Sequence, residues 1–250
     1  MAGASGRIKV LHEPSTAEPF LVLDKPMGLP TAPVRAGDDC ALTQAVARFP
    51  SLACVVGRKP IEFGLLHRLD TATRGCVLIA ATQDAYDALR AAQTAGHFTK
   101  AYTASVVHVP DAPVLLGGFP SCSVTVAQGA TITVESRFRA YGTHGAAVRP
   151  VTAESGMAAR RKAAPALYRT HVTLSHGVDG AYSASCVISA GYRHQVRCHL
   201  AWLGFPICGD PLYNPRHGSA FCFVATALRF PNPVSGVIMD FALPTDSGES

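Results

Sequence analysis

A histidine, an arginine and an aspartate stand close together at positions 67–70, in the sequence H-R-L-D. Apolar runs at 63–66 and 76–81 flank this group, and residues 71–75 between them contain threonine and glycine. Such a pattern is typical of two neighbouring strands joined by a loop. A carboxylate on a loop of this kind, here Asp70, lies where rigid scaffolds often display catalytic groups. The alternative is a structural aspartate that accepts hydrogen bonds within its loop, and this segment by itself favours that alternative.

A tyrosine and two arginines are the other groups that suit a site built from side chains alone. Tyr102 falls in an alternating, strand-like segment, and Arg193 and Arg197 are four residues apart, so we expect both arginines on one side of a helix. An arginine opposite a carboxylate keeps the acid ionised, and such an acid can act as a nucleophile. A glycosidase needs a second carboxylate about 5–9 Å away. Glu62 is the only acid just upstream of Asp70, which disfavours glycoside hydrolysis.

Several kinds of chemistry lack their sequence signature. The chain has no G-x-x-x-x-G-K-[ST] or G-x-G-x-x-G for phosphate binding, no H-E-x-x-H for zinc, and no G-x-S-x-G. Its eight cysteines include no C-x-x-C pair, which disfavours both a zinc site and a disulfide framework. We therefore predict a site that uses no metal and no cofactor.

Composition narrows the class of partner. Of the 250 residues, 48% are hydrophobic and 16% are charged, and Lys plus Arg exceed Asp plus Glu by 22 to 17. The net charge of +5 suits a polyanion without identifying one. No apolar run reaches the ~18 residues of a membrane span, and the first residues lack the apolar core of a secretory signal. We predict an intracellular protein with no membrane association, in a compartment that the sequence leaves open.

Periodicity and turn signals predict one α+β domain over residues 1–250, in which strands outnumber helices. Residues 1–16 are expected to be a flexible lead-in and residues 245–250 a polar tail. The expected helices run from an Asp38-Asp39 cap to Pro50, from a Thr82 cap to Gly96, and over 194–203. The expected strands are at 20–23, 100–107 and 221–230, with strand-like pieces at 123–126 and 131–138. A further strand pair is expected at 167–174 and 181–189, across a Gly177/Gly180 turn.

A basic segment at 154–165 contains Arg160, Arg161 and Lys162. Its composition indicates an exposed loop. A solvated loop and an RNA-binding patch both fit these residues, and in isolation the solvated loop is favoured.

Three separated blocks resemble motifs of the RluA-type pseudouridine synthases and occur in that family's order. Residues 23–30 are similar to its K-P-x-G-x-x element, and residues 67–80 to its H-R-L-D-x-x-T-S-G-x-x-x-x-A block. Residues 191–200 and 204–213 are similar to G-R-T-H-Q-I-R-x-H-L and G-x-P-I-x-G-D-x-x-Y. Weaker matches are found at 100–104 and 225–233.

The resemblance implies a mixed, mostly antiparallel central sheet with flanking helices and loops around an RNA-binding cleft. It also implies isomerisation of specific uridines in tRNA or rRNA to pseudouridine, without a cofactor. Because the K-P element begins so early, we expect no separate N-terminal RNA-binding domain. We further expect a monomer that needs no guide RNA.

The same resemblance implies roles for individual residues. Asp70 takes the position of the family's essential aspartate, Arg197 that of its cationic partner, and Tyr102 that of the tyrosine packed on the target base. Arg68 takes the position that fills the stack after the base is flipped out, a step that exposes the bonds to be changed. The other residues expected to bind RNA are Lys25, His67, Arg193, His194 and Gln195.

Some residues depart from the family pattern. Arg74 stands where serine is usual, Tyr192-Arg193 where Arg-Thr is usual, and Val224 where histidine is frequent. These departures concern RNA contacts more than the chemistry, since Asp70, Arg197 and Tyr102 all match.

Two other functions remain alternatives at this stage. One is a non-catalytic RNA-binding or RNA-folding protein on the same scaffold. The other is an aspartate-dependent glycosidase or nucleosidase, which the lone carboxylate disfavours.

Overall fold

The computed structural model describes residues 6–124, 129–176, 182–216 and 220–244. Within these ranges the strands are β1 (Lys9–His12), β2 (Phe20–Lys25), β3 (Arg74–Ala80), β4 (Thr99–Val106), β5 (Thr131–Tyr141), β6 (Ala147–Val151), β7 (Tyr168–His176), β8 (Tyr182–Ile188), β9 (Phe223–Pro231) and β10 (Ile238–Ala242). The helices are α1 (Ala41–Arg48), α2 (Gln83–Thr94), α3 (Ala112–Leu116), α4 (Met157–Arg161) and α5 (Gln195–Trp202). None of the helices in the described part of the chain is long and apolar enough to cross a membrane.

The chain divides into two compact units. Unit 1 comprises Met1–Lys100 and Val224–Ser250, and unit 2 comprises Ala101–Phe223. Each combines helices with mostly antiparallel strands, which confirms the predicted α+β class. A single domain over residues 1–250 stays a prediction.

The sheet of unit 1 is built on a buried strand. All six residues of β2 are buried, and β2 runs antiparallel to both β1 and β3. β3 runs parallel to β9, which in turn pairs antiparallel with β10. Gly75 permits the close approach of β3 to β9, because a Cβ at this position would lie 2.2 Å from the carbonyl oxygen of Ala225.

Helix α2 begins and ends as the sequence predicts. The Thr82 hydroxyl accepts a hydrogen bond from the Ala85 N–H at 3.2 Å, and Gly96 follows the helix with a φ of 79°. The buried face of α2 packs into an aromatic core in which Phe98 stacks on Phe230 at 5.6 Å. Local capping signals and an apolar face therefore suffice to predict this helix.

Helix α1 begins later than predicted, because its N-cap is Cys40 and neither Asp38 nor Asp39. The Thr43 hydroxyl accepts a hydrogen bond from the Cys40 N–H at 2.9 Å, and the Cys40 sulfur accepts one from the Thr43 N–H at 3.4 Å. The Asp38 carboxylate instead accepts hydrogen bonds from two N–H groups of the preceding turn, at 3.0 and 2.8 Å. The preceding turn uses the Asp38 carboxylate, and a reciprocal capping box forms at Cys40, two residues later.

Unit 2 contains the strand order β4-β8-β7-β5-β6, and the pairs from β8 to β6 are antiparallel. The predicted strand pair is thus confirmed as β7 and β8, while its Gly177/Gly180 turn lies outside the described residues. Helix α5, also predicted, buries Cys198 and Ala201 against Phe138, Val148 and Tyr213.

Several parts of the chain differ from the prediction. The segment 154–165, expected to be an exposed loop, contains the short helix α4. The expected lead-in contains β1, whose weak apolar pattern of one exposed and three half-buried residues carries little signal. Strand β10 was not predicted. The turn that leads into it is formed by Asn232, whose side-chain oxygen accepts hydrogen bonds from the N–H groups of Val234 and Ser235. The apolar run at 63–66 forms a single bridge, Leu65 to Ile79, because Phe63 has a φ of 44° and interrupts the extended backbone.

Candidate active site

Asp70 lies in a tight turn just before β3. We call residues 67–73 the Asp70 loop. The carbonyl of Asp70 accepts a hydrogen bond from the Thr73 N–H at 2.9 Å, as in a β-turn. Asp70 is half-buried. This confirms that the acid is presented from a loop, as the sequence predicts.

A second loop, residues 26–31, holds the backbone on both sides of Asp70, and we call it the clamp loop. The Thr31 hydroxyl accepts a hydrogen bond from the Leu69 N–H at 3.0 Å and donates one to the Leu69 carbonyl at 2.7 Å. The Gly28 N–H donates to the Thr71 carbonyl at 2.8 Å. Both sequence neighbours of Asp70 are therefore tied to the clamp loop.

Lys25 supports the same arrangement from inside unit 1. Its side chain is 0% exposed, and its ammonium group donates to the carbonyls of Pro26, Leu29 and Thr71 at 2.9, 2.7 and 3.2 Å. Burial lowers the pKa of Lys25 to about 8, against the opposing charges of Asp70 and Asp24. Lys25 therefore holds backbone in this structure, and its contact with RNA stays a prediction.

His67 and Arg68 have different surroundings, although they are adjacent. The His67 Nε2 accepts a hydrogen bond from the Leu78 N–H at 3.3 Å, and its ring packs edge-on against Phe98. Burial, and then the charge of Lys100, lowers the pKa of His67 well below its usual range. His67 is therefore a neutral group that ties the Asp70 loop to β3, and its contact with RNA stays a prediction. Arg68 is exposed, with Nη1 3.2 Å from Glu62 Oε1, and its role with RNA stays a prediction.

Arg74 stands where the family pattern usually has serine, and it forms an ion pair within unit 1. Its Nε and Nη2 lie 3.1 and 3.0 Å from Oδ2 of the buried Asp24. The Arg74 guanidinium thus compensates the burial of a carboxylate.

Arg197 is anchored by an acid to which the sequence analysis gave no role. Its guanidinium donates two hydrogen bonds to the fully buried Asp210, both at 2.8 Å, and is itself 5% exposed. Asp210 also accepts from the N–H groups of Leu212 and Tyr213 at 2.9 and 3.1 Å. The guanidinium lies over the rings of Tyr213 and Phe221 at 5.2 and 5.4 Å. The only signal for Asp210 was its place in the G-D-x-x-Y motif.

Tyr102 projects from β4 and is 7% exposed. Its ring stacks on Phe223, with centroids 5.2 Å apart and planes 14° apart. A second ring at this distance fixes the plane of the Tyr102 ring. Its contact with a target base stays a prediction.

Residues 193–195, all expected to bind RNA, have different surroundings. Arg193 precedes α5 and donates to the carbonyls of Gly145 and Ala147, so it does not share a helix side with Arg197, contrary to the prediction. His194 has a φ of 57°, and its Nδ1 lies 3.0 Å from the Tyr213 hydroxyl. Gln195 is 2% exposed and donates to the Arg169 carbonyl at 2.8 Å. Gln195 is buried, and contacts of Arg193, His194 and Gln195 with RNA all stay predictions.

Unit 1 therefore brings together Asp70, Lys25, Thr31 and His67, and unit 2 brings together Arg197, Asp210 and Tyr213. In the described ranges, no group of three or more His, Cys, Asp or Glu side chains is arranged to hold a metal ion.

Comparison with known proteins identifies one family. Residues 19–202 match the family model described as RNA pseudouridylate synthase. A protein of Chloroflexus aurantiacus named as an uncharacterized RNA pseudouridine synthase is 32% identical over 227 residues, which is 88% of this chain and 61% of that protein. A ribosomal large subunit pseudouridine synthase D of Xanthomonas campestris is 31% identical over 208 residues, 83% of this chain and 52% of that protein. The chain thus spans between half and two thirds of the length of these relatives.

Solved structures resemble this chain in fold. The human RNA pseudouridylate synthase domain containing 1 protein has a TM-score of 0.64 at 21% identity, with 98% of this chain and 86% of that chain covered. The human domain containing 4 protein has a TM-score of 0.61 at 19% identity, with 94% and 87% covered.

Proposed function

The chain belongs to the RNA pseudouridylate synthase family, and from this premise we propose that it isomerises specific uridines in RNA to pseudouridine. In this reaction the bond from ribose to nitrogen one of uracil breaks, and a bond from ribose to carbon five forms. The proton on carbon five is lost and nitrogen one gains a proton, so the atoms balance without a cofactor. The target nucleotide must leave its stack, because a stacked uridine hides these bonds.

The observation that carries the proposal is the presentation of Asp70. Its side chain is half-buried, while the backbone on both sides of it is tied to the clamp loop. A carboxylate held in this way suits direct attack on a ribose, or removal of a proton from it, because little freedom remains to be lost when the nucleotide arrives.

We assign supporting roles to three further residues. Arg197 is the proposed cationic partner of the acid, and its pairing with Asp210 fixes the guanidinium plane. Tyr102 packs on the target base and helps to move the proton of carbon five. Arg68, which is exposed, fills the space that the flipped base leaves.

We propose ribosomal RNA of the large subunit as the preferred substrate and tRNA as the second choice. Relatives from Xanthomonas campestris and Pseudomonas aeruginosa carry the name ribosomal large subunit pseudouridine synthase D, and they support this order. Mapping of pseudouridines in cells with and without the protein distinguishes the two substrates.

The test uses RNA tritiated at carbon five of uracil, incubated with wild type and with Asp70→Asn. Wild type should release tritium, and the variant should release it on the order of 10³-fold more slowly or not at all. RNA affinity, measured by filter binding, should change little, because the asparagine keeps the size of the side chain. Binding by wild type without tritium release would indicate a non-catalytic RNA-binding protein. Release of free uracil or free sugar would indicate a nucleosidase or glycosidase.

A further inference from the structure

We propose that Thr31 is a positioning residue for Asp70: its hydroxyl fixes the peptide unit that leads into the aspartate and thereby sets the direction of the carboxylate. This inference rests on the proposed role of Asp70 in the isomerisation. Thr31 lies outside every motif that the sequence analysis used for the site.

The Thr31 hydroxyl contacts the backbone directly before Asp70. Thr31 is 3% exposed, and its Oγ1 is within hydrogen-bond distance of both polar backbone atoms of Leu69, at 3.0 Å from the nitrogen and 2.7 Å from the oxygen. The Leu69 carbonyl shares its peptide plane with the nitrogen of Asp70, so this plane cannot rotate without breaking a hydrogen bond. One hydroxyl thus holds the backbone on the N-terminal side of the acid.

Thr31 is itself anchored to helix α1. The N–H groups of Ala41 and Leu42, at the start of α1, donate to the carbonyls of Pro30 and Thr31 at 2.9 and 3.1 Å. These are donors that a helix cannot satisfy within itself. A continuous set of hydrogen bonds therefore runs from the first turn of α1 through Thr31 to the backbone before Asp70.

The backbone on the C-terminal side of Asp70 is held independently of Thr31. The Thr71 carbonyl accepts hydrogen bonds from the Gly28 N–H and the Lys25 ammonium group. Loss of the Thr31 hydroxyl should therefore tilt the turn at one end and leave it attached at the other. We expect a misdirected carboxylate in a protein that is still folded.

The experiment compares Thr31→Val, which keeps the shape and removes the hydroxyl, with Thr31→Ser, which keeps the hydroxyl. In tritium release, kcat of Thr31→Val should fall by about 10- to 100-fold, because small displacements of a reacting group have effects of this size. KM and RNA affinity should stay within about twofold of wild type, and Thr31→Ser should keep kcat within about threefold. Thr82→Val is the matched control, since it removes a threonine hydroxyl that caps α2 and does not touch the Asp70 loop.

Deuterium exchange of a peptide that spans residues 67–73 tests the hydrogen bonds between Thr31 and Leu69 without an activity measurement. Exchange should be faster in Thr31→Val and unchanged in Thr31→Ser and Thr82→Val. If Thr31→Val fails to fold, Thr31→Cys, with its weaker S–H donor, should show an intermediate loss of kcat and intermediate exchange.

Three results would overturn the inference: unchanged kcat in folded Thr31→Val, an equal loss in Thr31→Ser, or a loss no larger than that of Thr82→Val. Absence of tritium release by wild type would instead reject the proposed function, and faster exchange in Thr31→Val would then still support the clamp.

Discussion

The two units of the molecule differ sharply in charge. Unit 1 contains twelve Lys and Arg against twelve Asp and Glu, whereas unit 2 contains ten against five. The whole net charge of +5 therefore comes from unit 2. Unit 1 holds the proposed acid, and unit 2 holds the proposed cationic partner and the excess positive charge available to attract a polyanion.

The units also differ in what they bury. Unit 1 buries the ammonium groups of Lys25 and Lys100, and burial lowers the pKa of each to about 8. Unit 2 buries the imidazole of His199, whose pKa burial lowers to about 3, and the ion pair of Arg197 with Asp210. The buried Lys25 of unit 1 holds backbone near Asp70, whereas the buried His199 and Arg197 of unit 2 contact other side chains.

The largest effect is expected from the ion pair of unit 2. Arg197→Met should destabilise the protein by about 3–5 kcal/mol, because it leaves the buried Asp210 carboxylate without its cation. Tritium release should also be lost, at temperatures where the variant is folded. The free energy of unfolding in urea measures the first effect.

Arg74→Met in unit 1 is the matched comparison. The Arg74 side chain is 37% exposed in its pair with Asp24, so its loss should cost less than that of Arg197. Equal losses of stability in the two variants would contradict the idea that the greater burial of the Arg197–Asp210 pair makes its loss more costly.

A smaller effect is expected from His199. Its Nδ1 and Nε2 lie 2.8 and 2.9 Å from the hydroxyls of Thr170 and Ser136, and burial lowers its pKa to about 3 from the ordinary value of 6.5. His199 takes up a proton at a higher pH in the unfolded chain than in the folded protein. Its contribution to the free energy of unfolding is therefore complete above about pH 6.5 and is lost as the pH falls towards 3.

Urea unfolding at two pH values measures this dependence. Between pH 6.5 and 5 the His199 contribution should fall by about 2 kcal/mol, at about 1.4 kcal/mol per pH unit. His199→Gln cannot titrate and should lose correspondingly less stability over this interval. The same pH dependence in His199→Gln and wild type would show that other groups are responsible.

The smallest effect is expected from the exposed basic residues of α4 and its C-terminal end. Combined replacement of Arg160, Arg161 and Lys162 by Gln should weaken RNA binding by about tenfold at low salt and flatten its salt dependence, because fewer counterions are released. Fluorescence anisotropy over a salt series measures both quantities.

The control variant removes the same charge from unit 1. Arg7, Lys9 and Arg35 are also exposed, and their combined replacement by Gln should change RNA affinity less. Equal effects of the two triple variants would mean that net charge alone matters and that the charge of unit 2 has no special place in RNA binding.

Local signals in the chain account for the parts that were predicted correctly. The Thr82 cap with Gly96 predicts α2, an apolar run predicts β2, and the H-R-L-D block places Asp70 on a loop before β3. Each of these signals lies within about a dozen residues of the element it describes, where capping, periodicity and turn chemistry act.

The sequence by itself determined the α+β class, the family and the position of the acid, because these depend on short motifs and on their order. Only the tertiary structure decided that Lys25 and Gln195 turn inward, that Arg197 is held by Asp210, and that Thr31 clamps the backbone beside Asp70. The physical reason is distance along the chain. Thr31 and Leu69 are 38 residues apart, and the hydrogen-bond partner of a buried polar group at that separation is chosen by packing and not by its neighbours in sequence.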